Sequence, residues 1–295
     1  MRIGKRALVL LLATALAVLA AAPSQSAPRG KLYVIGMGPA GPQTATLQAL
    51  QTVARMDYII ASALVRSLFP QQLAGKKILF DHLSGLWDYQ GKFFTQLDPK
   101  LLPAFKKERA RLTAERLGQI EGLLAQGKNV GLLEGGNPCV FSSAHWYVDR
   151  MQARDVVIIP GMGSAAAGMA ALGKSIIPAY GSRFLLQSAP FIMSDDLLKD
   201  DEVFRSLAKY QPAMVLYMAL KQPGPLVAAL RKAYPADTPC AVVYWAGYPD
   251  KQRVLRCKLA ELPDRLAKEK ERYLGLLFVG RFLEGKPYLA AEDKP

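Results

Sequence analysis

Short apolar runs, each closed by glycine, proline or charge, alternate with longer stretches whose apolar residues recur at helical spacing. In the first half, runs at Leu32–Ile35, Tyr58–Ala61, Lys77–Phe80, Asn129–Leu133 and Val156–Ile159 predict strands. Between them the pattern predicts a helix over Thr44–Met56, with Thr44 as its N-cap, and a longer one over Pro103–Gln126. The longer helix carries Leu117, Ile120 and Leu124 on one face and stops at Gly127. Strands separated by helices predict an α/β fold with a parallel sheet. The second half predicts strands near Phe184–Gln187, Ala213–Tyr217, Cys240–Trp245, Arg253–Lys258 and Leu276–Val279. Neighbours there are joined without a helix, so that sheet should be mixed. A parallel-sheet N-terminal domain over residues 28–178 and a mixed-sheet C-terminal domain over 179–290 are expected, with the boundary near Pro178–Arg183 and a frayed tail after Gly285.

The first residues follow another pattern. Arg2, Lys5 and Arg6 precede an unbroken apolar stretch from Ala7 to Ala22, and small residues around Ser24, Ser26 and Ala27 offer cleavage sites. That order is the order of a secretory signal peptide. The apolar run is shorter than the ~20 residues a spanning helix needs. Residues 1–27 are therefore expected to direct export, periplasmic or secreted, and to be removed, leaving no stable membrane span. The roughly 270 residues that remain are enough for one large or two ordinary domains with a real core.

Charge narrows the partners. The formal net charge is +14 and stays strongly positive without Arg2, Lys5 and Arg6. It favours a polycarboxylate, an anionic membrane or nucleic acid, beside the plainer reading of a generally basic exported surface. No helix-turn-helix, zinc pattern or aromatic–basic platform supports nucleic acid. Three cysteines are too few for a disulfide-built scaffold. Cys240 and Cys257 flank an expected hairpin near Tyr248 and Pro249 and could face each other across two strands. A bridge between them is possible in an oxidising compartment, though cross-strand geometry is demanding, and would leave Cys139 free. His82 and His145 have no metal-ligand spacing, so no metal site is expected. The segment Leu83–Arg116 sets Trp87, Tyr89, Phe93, Phe94 and Phe105 beside Lys106, Lys107, Arg109, Arg111 and Arg116. It is either a lid over a flat polyanionic ligand or an insertion whose aromatics pack on the domain while its charges stay solvated.

The chemistry concentrates at turns. Gly36-Met37-Gly38-Pro39-Ala40-Gly41 follows one strand directly, and Gly135-Gly136-Asn137-Pro138 follows another. With side chains absent, main-chain N–H groups can approach a small polar ligand. Taken alone, the first turn also fits a dinucleotide fingerprint. That fold needs an acidic residue after the second strand, where Ile60-Ala61-Ser62 has none, and Pro39 and Pro42 remove two N–H donors. A nicotinamide cofactor is disfavoured. Further turns follow in order: Pro160-Gly161-Met162-Gly163-Ser164-Ala165, then Tyr217-Met218, then Ala246-Gly247-Tyr248-Pro249-Asp250.

From Lys31 to Gly280, this series in this order resembles the tetrapyrrole methylase family. It looks most like the precorrin-4 methyltransferase branch, through Ala61-Ser62-Ala63-Leu64-Val65, Ala170-Ala171-Leu172-Gly173 and Val242-Val243-Tyr244 through Asp250. The resemblance implies a two-domain α/β fold with S-adenosyl-L-methionine in a trough between the domains, in a homodimer. Carried onto matching positions, it implies cofactor contacts at Pro39, Gly135, Gly136, Asn137, Val140, Gly163, Ser164, Met218, Ala246 and Gly247. Small residues at strand ends, with a methionine for apolar contact, suit adenine and ribose. The implied activity is methyl transfer to a carbon of a corrin-like tetrapyrrole, with Lys106, Lys107, Arg109 and Arg111 as candidates to hold its carboxylates.

The departures are specific. Asn137 stands where the family commonly has aspartate, Gly163 lacks the usual hydroxyl, and Ser62 stands where the uroporphyrinogen branch has an acidic catalytic residue. No proton acceptor is carried over, and the catalytic residues are unassigned. Asn137, Gly163, the aromatic insertion and the leader support an alternative: an exported non-catalytic protein of the same fold that holds a tetrapyrrole or another acidic ligand.

Overall fold

The computed structural model describes residues 28–177, 184–189, 201–271 and 274–284. The expected leader (1–27), the domain boundary at Pro178–Arg183 and the tail after Gly285 lie outside them. In chain order the first half comprises β1 (Leu32–Gly36), α1 (Leu47–Ala54), β2 (Tyr58–Ala61), α2 (Ala63–Leu68) and β3 (Lys77–Ile78). A small hairpin, β4 (Asp88–Tyr89) and β5 (Lys92–Phe93), leads to α3 (Leu102–Ala125) and β6 (Val130–Glu134). Then come α4 (His145–Val148), β7 (Val156–Ile159) and α5 (Ser164–Leu172). The second half has β8 (Leu185–Ser188), α6 (Asp201–Tyr210), β9 (Ala213–Leu216), α7 (Pro223–Leu230), β10 (Pro239–Tyr244), β11 (Arg253–Lys258), α8 (Leu262–Ala267) and β12 (Gly275–Val279).

The first sheet is wholly parallel, in the order β3-β2-β6-β1-β7. Its three central strands, β2, β6 and β1, read as continuous apolar runs because both faces are covered. Ile35, Ile59 and Leu133 meet Val53 of α1 and Val65 of α2 on one face. Val34, Ile60 and Leu132 meet Ile120 and Leu124 of α3 on the other. The second sheet runs β11-β10-β12-β9-β8, with β8 parallel to β9 and the other pairs antiparallel. It is the expected mixed sheet, and Cys240 and Cys257 do stand opposite each other in it, as free thiols.

One helix joins the two halves. α5 follows β7 of the first sheet, yet its Ala167 and Leu172 pack with Val215, Val243 and Phe278 of the second. Gly168 makes this close approach: a Cβ there would stand 2.6 Å from the Phe278 ring. Gly173 in the left-handed region ends the helix, where Arg256 of β11 donates to the Leu172 carbonyl (3.2 Å).

Two local expectations are corrected. The N-cap of α1 is Thr46, whose hydroxyl accepts from Ala49 N (3.0 Å). Thr44 instead accepts from Ala40 N and donates to Gly41 O, both at 3.0 Å, and so pins the first glycine loop. The third strand stops at Ile78 rather than Phe80. The aromatics of the Leu83–Arg116 segment pack on one another and on the domain, Trp87 against Phe93 and Trp146, Phe94 against Phe105. Phe105 and Leu86 are buried, while Lys107 and Arg111 are exposed.

Candidate functional site

Sheet order brings the glycine turns together. β1 lies between β6 and β7, all parallel, so the turns that follow them emerge side by side at one edge. The carboxyl ends of parallel strands are where open α/β sheets hold their ligands. The turns also touch. Gly136 N donates to Gly38 O (3.0 Å) and Met37 N to Glu134 O (2.8 Å). A Cβ on Gly36 would meet Gly161 N at 2.5 Å, and one on Gly161 would meet Gly136 O at 2.3 Å. The three turns form a surface of backbone that admits no side chain at those contacts.

Facing that surface, the second sheet supplies the other wall of a cavity of about 270 Å³. Its lining combines Pro39, Gly135–Asn137, Gly163 and Ser164 with Tyr217, Met218, Trp245, Ala246 and Tyr248. β12 runs antiparallel to β10, so Gly275 pairs with Tyr244 and brings Leu274 and Leu276 to the same wall. Three lining residues, Phe141, Met218 and Trp245, have φ values of 54°, 53° and 52°. A bulky residue in the left-handed region costs on the order of 1–3 kcal/mol and tends to occur at functional sites. Phe141 and Tyr217, from opposite walls, lie 6.0 Å apart between ring centroids.

No charged side chain lines this cavity among the described residues. Burial raises the pKa of Tyr217 and of Tyr248, so both stay neutral hydroxyls. The Tyr217 hydroxyl donates to Gln187 Oε1 (2.8 Å). Asn137 folds back so that its Oδ1 accepts from Cys139 N (2.9 Å). His145 is a support of this turn, with Nε2 3.2 Å from Pro138 O and Nδ1 3.2 Å from Asp149. Ser62 caps α2, accepting from Val65 N (3.3 Å). Beneath the turn, the buried Glu134 carboxylate accepts from Ser143 Oγ (2.9 Å) and Ala144 N (2.7 Å) and lies 3.4 Å from His82 Nε2. Burial alone would raise its pKa, but His82 and the serine hydroxyls outweigh it and hold the carboxyl below its ordinary value. Among the described residues, no group of three or more His, Cys, Asp or Glu is placed to hold a metal.

Comparison with known proteins fits this geometry. The sequence profile of the Tetrapyrrole (Corrin/Porphyrin) Methylases matches residues 31–263. The chain belongs to that family. A cobalt-precorrin-4 C(11)-methyltransferase of Methanocaldococcus jannaschii is 24% identical over 261 residues, 88% of this chain and 90% of the relative. The crystal structure of a cobalt precorrin-4 methyltransferase, a cobalamin biosynthetic enzyme, is 20% identical with a TM-score of 0.65, over 86% of this chain and 95% of the other. A uroporphyrin-III C-methyltransferase of Thermus thermophilus, solved with S-adenosylhomocysteine, is also 20% identical, with a TM-score of 0.60 over 86% and 99%. At that identity the structural likeness is one of fold.

In this tetrapyrrole methylase, nine of the ten positions expected to contact a cofactor line the one cavity: Pro39, Gly135, Gly136, Asn137, Val140, Gly163, Ser164, Met218 and Ala246. Gly247 does not line it. Its N–H donates to Gln252 Oε1 (2.8 Å), and a Cβ on it would stand 3.1 Å from Ala40 and Thr44, so it docks the second half on the first glycine loop. The four basic residues Lys106, Lys107, Arg109 and Arg111 do not line the cavity. Lys106 and Arg109 border a separate recess, and Arg111 is held by Glu108 and Glu115. Leu64, Phe141, Tyr217, Val243, Trp245, Tyr248 and Leu274–Leu276 also form the walls, outside the positions expected from the sequence. Trp245 and Tyr248 had a readable signal, aromatics just past a strand's carboxyl end. Leu274 had none, because it reaches the wall only through the pairing of β12 with β10.

Proposed function

We propose that this chain is an S-adenosylmethionine-dependent methyltransferase acting on a carbon of a corrin-like tetrapyrrole. The observation that carries the proposal is the convergence of three bare glycine turns and the Met218 and Ala246 strand ends on one uncharged cavity. The fit to S-adenosylmethionine is chemical. A neutral base and ribose need backbone partners and flat apolar walls, which the turns and Met218, Trp245 and Tyr248 provide. The names of the relatives, and the S-adenosylhomocysteine held by the Thermus thermophilus neighbour, point the same way.

When bound, the cofactor supplies an electrophilic methyl group on a sulfonium, transferred as S-adenosylhomocysteine departs. The chain's own part is alignment and exclusion of water. The turns fix one wall, and Phe141, Met218 and Trp245, held at positive φ, shape the rest of the lining, so a ring carbon can be held at near-attack distance. Isothermal titration of the protein lacking residues 1–27 with S-adenosylhomocysteine tests this reading. Saturable one-to-one binding is expected, and no heat at millimolar ligand would overturn it.

Asn137 and Gly163, with the leader pattern of residues 1–27, favour a second reading: an exported protein of this fold that holds an acidic macrocycle without turnover. Co-purified pigment with a Soret-like band and absent S-adenosylhomocysteine binding would establish it over the first. We also propose periplasmic or secreted residence, supported by the basic, apolar and small-residue order of that segment. Sequencing the mature N-terminus from fractionated cells tests it, and an intact Met1 in the cytoplasmic fraction would overturn it. A homodimer is the assembly the resemblance implies, and light scattering decides it.

A further inference from the structure

A second recess, of about 250 Å³, lies between α3 and α4, with Arg150 just beyond α4 at its border. Lys106 and Arg109 of α3 and Arg150 border it, Trp146 forms one wall, and Ala110, Thr113, Ala114 and Leu117 complete the lining. The Arg109 guanidinium is sandwiched 4.5 Å from the Trp146 ring centroid and 4.9 Å from that of Phe105. Arg150 is held in place by its donation to Trp146 O (2.5 Å).

The carboxylates nearby are already committed. Glu108 and Glu115 both pair with Arg111, and Asp149 faces His145. No carboxylate of the described residues pairs with Lys106, Arg109 or Arg150. Burial first, and the field of Arg150 second, pull the Arg109 pKa down. Like charges held this close without a counterion raise the energy of the empty recess, and an anion lowers it. The room amounts to about eight waters at ~30 Å³ each, more than a bare inorganic ion needs. The small side chains of Ala110 and Ala114 leave room for a flat body beside the Arg109–Trp146 stack.

We propose that this recess is a second ligand site, for a small planar organic anion bearing more than one carboxylate or phosphate group. It is separate from the cleft: His145 of α4 turns toward the Pro138 carbonyl, while Trp146, the next residue, faces the recess. The site stands whether or not the cleft reading holds.

Isothermal titration of the full chain with 1,3,5-benzenetricarboxylate tests it. One-to-one binding that weakens as salt rises is expected. Arg150→Gln and Lys106→Gln, both at exposed positions and so safe for folding, should each weaken it at least tenfold. Arg111→Gln removes the same charge from the same helix, but from a residue already neutralised, and should change it less than twofold. Saturating S-adenosylhomocysteine should leave the binding unchanged. Equal weakening in all three variants would mean a diffuse basic surface and overturn the proposal. Absence of heat, or competition between the two ligands, would overturn it as well. A protein that binds the anion but gives no heat with S-adenosylhomocysteine alone would count against the cleft reading only.

Discussion

Replacing Gly161 by alanine adds one methyl group at the place where the three glycine turns meet. Its Cβ would stand 2.3 Å from Gly136 O and 2.6 Å from the Gly36 carbonyl carbon and oxygen. Non-bonded carbon contacts are comfortable at about 3.5–4.0 Å, so the turns must separate by about 1 Å. All the atoms it meets are backbone at the ends of paired strands, so no flexible side chain can yield. Overpacking of this kind costs about 1–3 kcal/mol, which in a protein of this size lowers Tm by about 2–4 °C per kcal/mol. The same displacement moves one wall of the cavity, and a 1 Å misplacement can cost about 10²-fold in function. We expect S-adenosylhomocysteine affinity to fall at least tenfold by isothermal titration, with Tm lower by several degrees in calorimetry. Gly122→Ala is the control: it lies inside α3, where a Cβ meets nothing within 4 Å. It should stabilise the protein by about 0.5–1 kcal/mol and leave ligand affinity alone. A Gly161→Ala protein that binds as tightly as the parent would refute the idea that bare backbone at this junction shapes the site.

Glu134→Gln should cost about 2–3 kcal/mol in urea unfolding, because a buried carboxylate that orders Ser143 and Ala144 loses its charge-assisted bonds. Since the folded carboxyl lies below its ordinary value of 4.5, its contribution is full above that pH and is lost as pH falls through the lower folded value. The acid slope of stability below pH 4.5 should therefore be shallower in the variant, and an unchanged slope would count against the network. Phe141→Ala removes the ring that meets Tyr217 across the cleft, a pair of the kind worth about 0.5–1.5 kcal/mol. Faster release of S-adenosylhomocysteine in stopped-flow with little change in Tm is expected, and an unaltered off-rate would argue against a bridging role. Burial pushes the Cys257 thiol up to about 11 and Cys240 higher still, whereas Cys139 is exposed. Iodoacetamide at pH 8 should add a single carbamidomethyl group quickly, at Cys139, and rapid labelling of all three would contradict the burial of the pair.

The sequence by itself determined the elements and the chemistry of the turns. Apolar runs between breakers located Tyr58–Ala61 to the residue, because a strand buried on both faces must be apolar throughout, and the bounds of the more exposed edge strands Val156–Ile159 and Arg253–Lys258 were legible as well. Gly127 in the left-handed region marked the end of α3, because few other residues adopt that conformation at low cost. Turns without side chains announced a backbone-lined site for the same local reason. Tertiary structure alone decided which pieces meet. Thr46 rather than Thr44 caps α1 because Thr44 is taken up by the Ala40–Gly41 loop. Gly247 became a docking point and Leu274 a wall residue only through contacts with segments distant in sequence, the first glycine loop for one and β10 for the other. The basic run after Phe105 divided between Glu-paired positions and a recess because a helix turns about 100° per residue, and its neighbours, Trp146 above all, are chosen by packing. Periodicity records the face a residue presents; what stands opposite that face is settled by the fold.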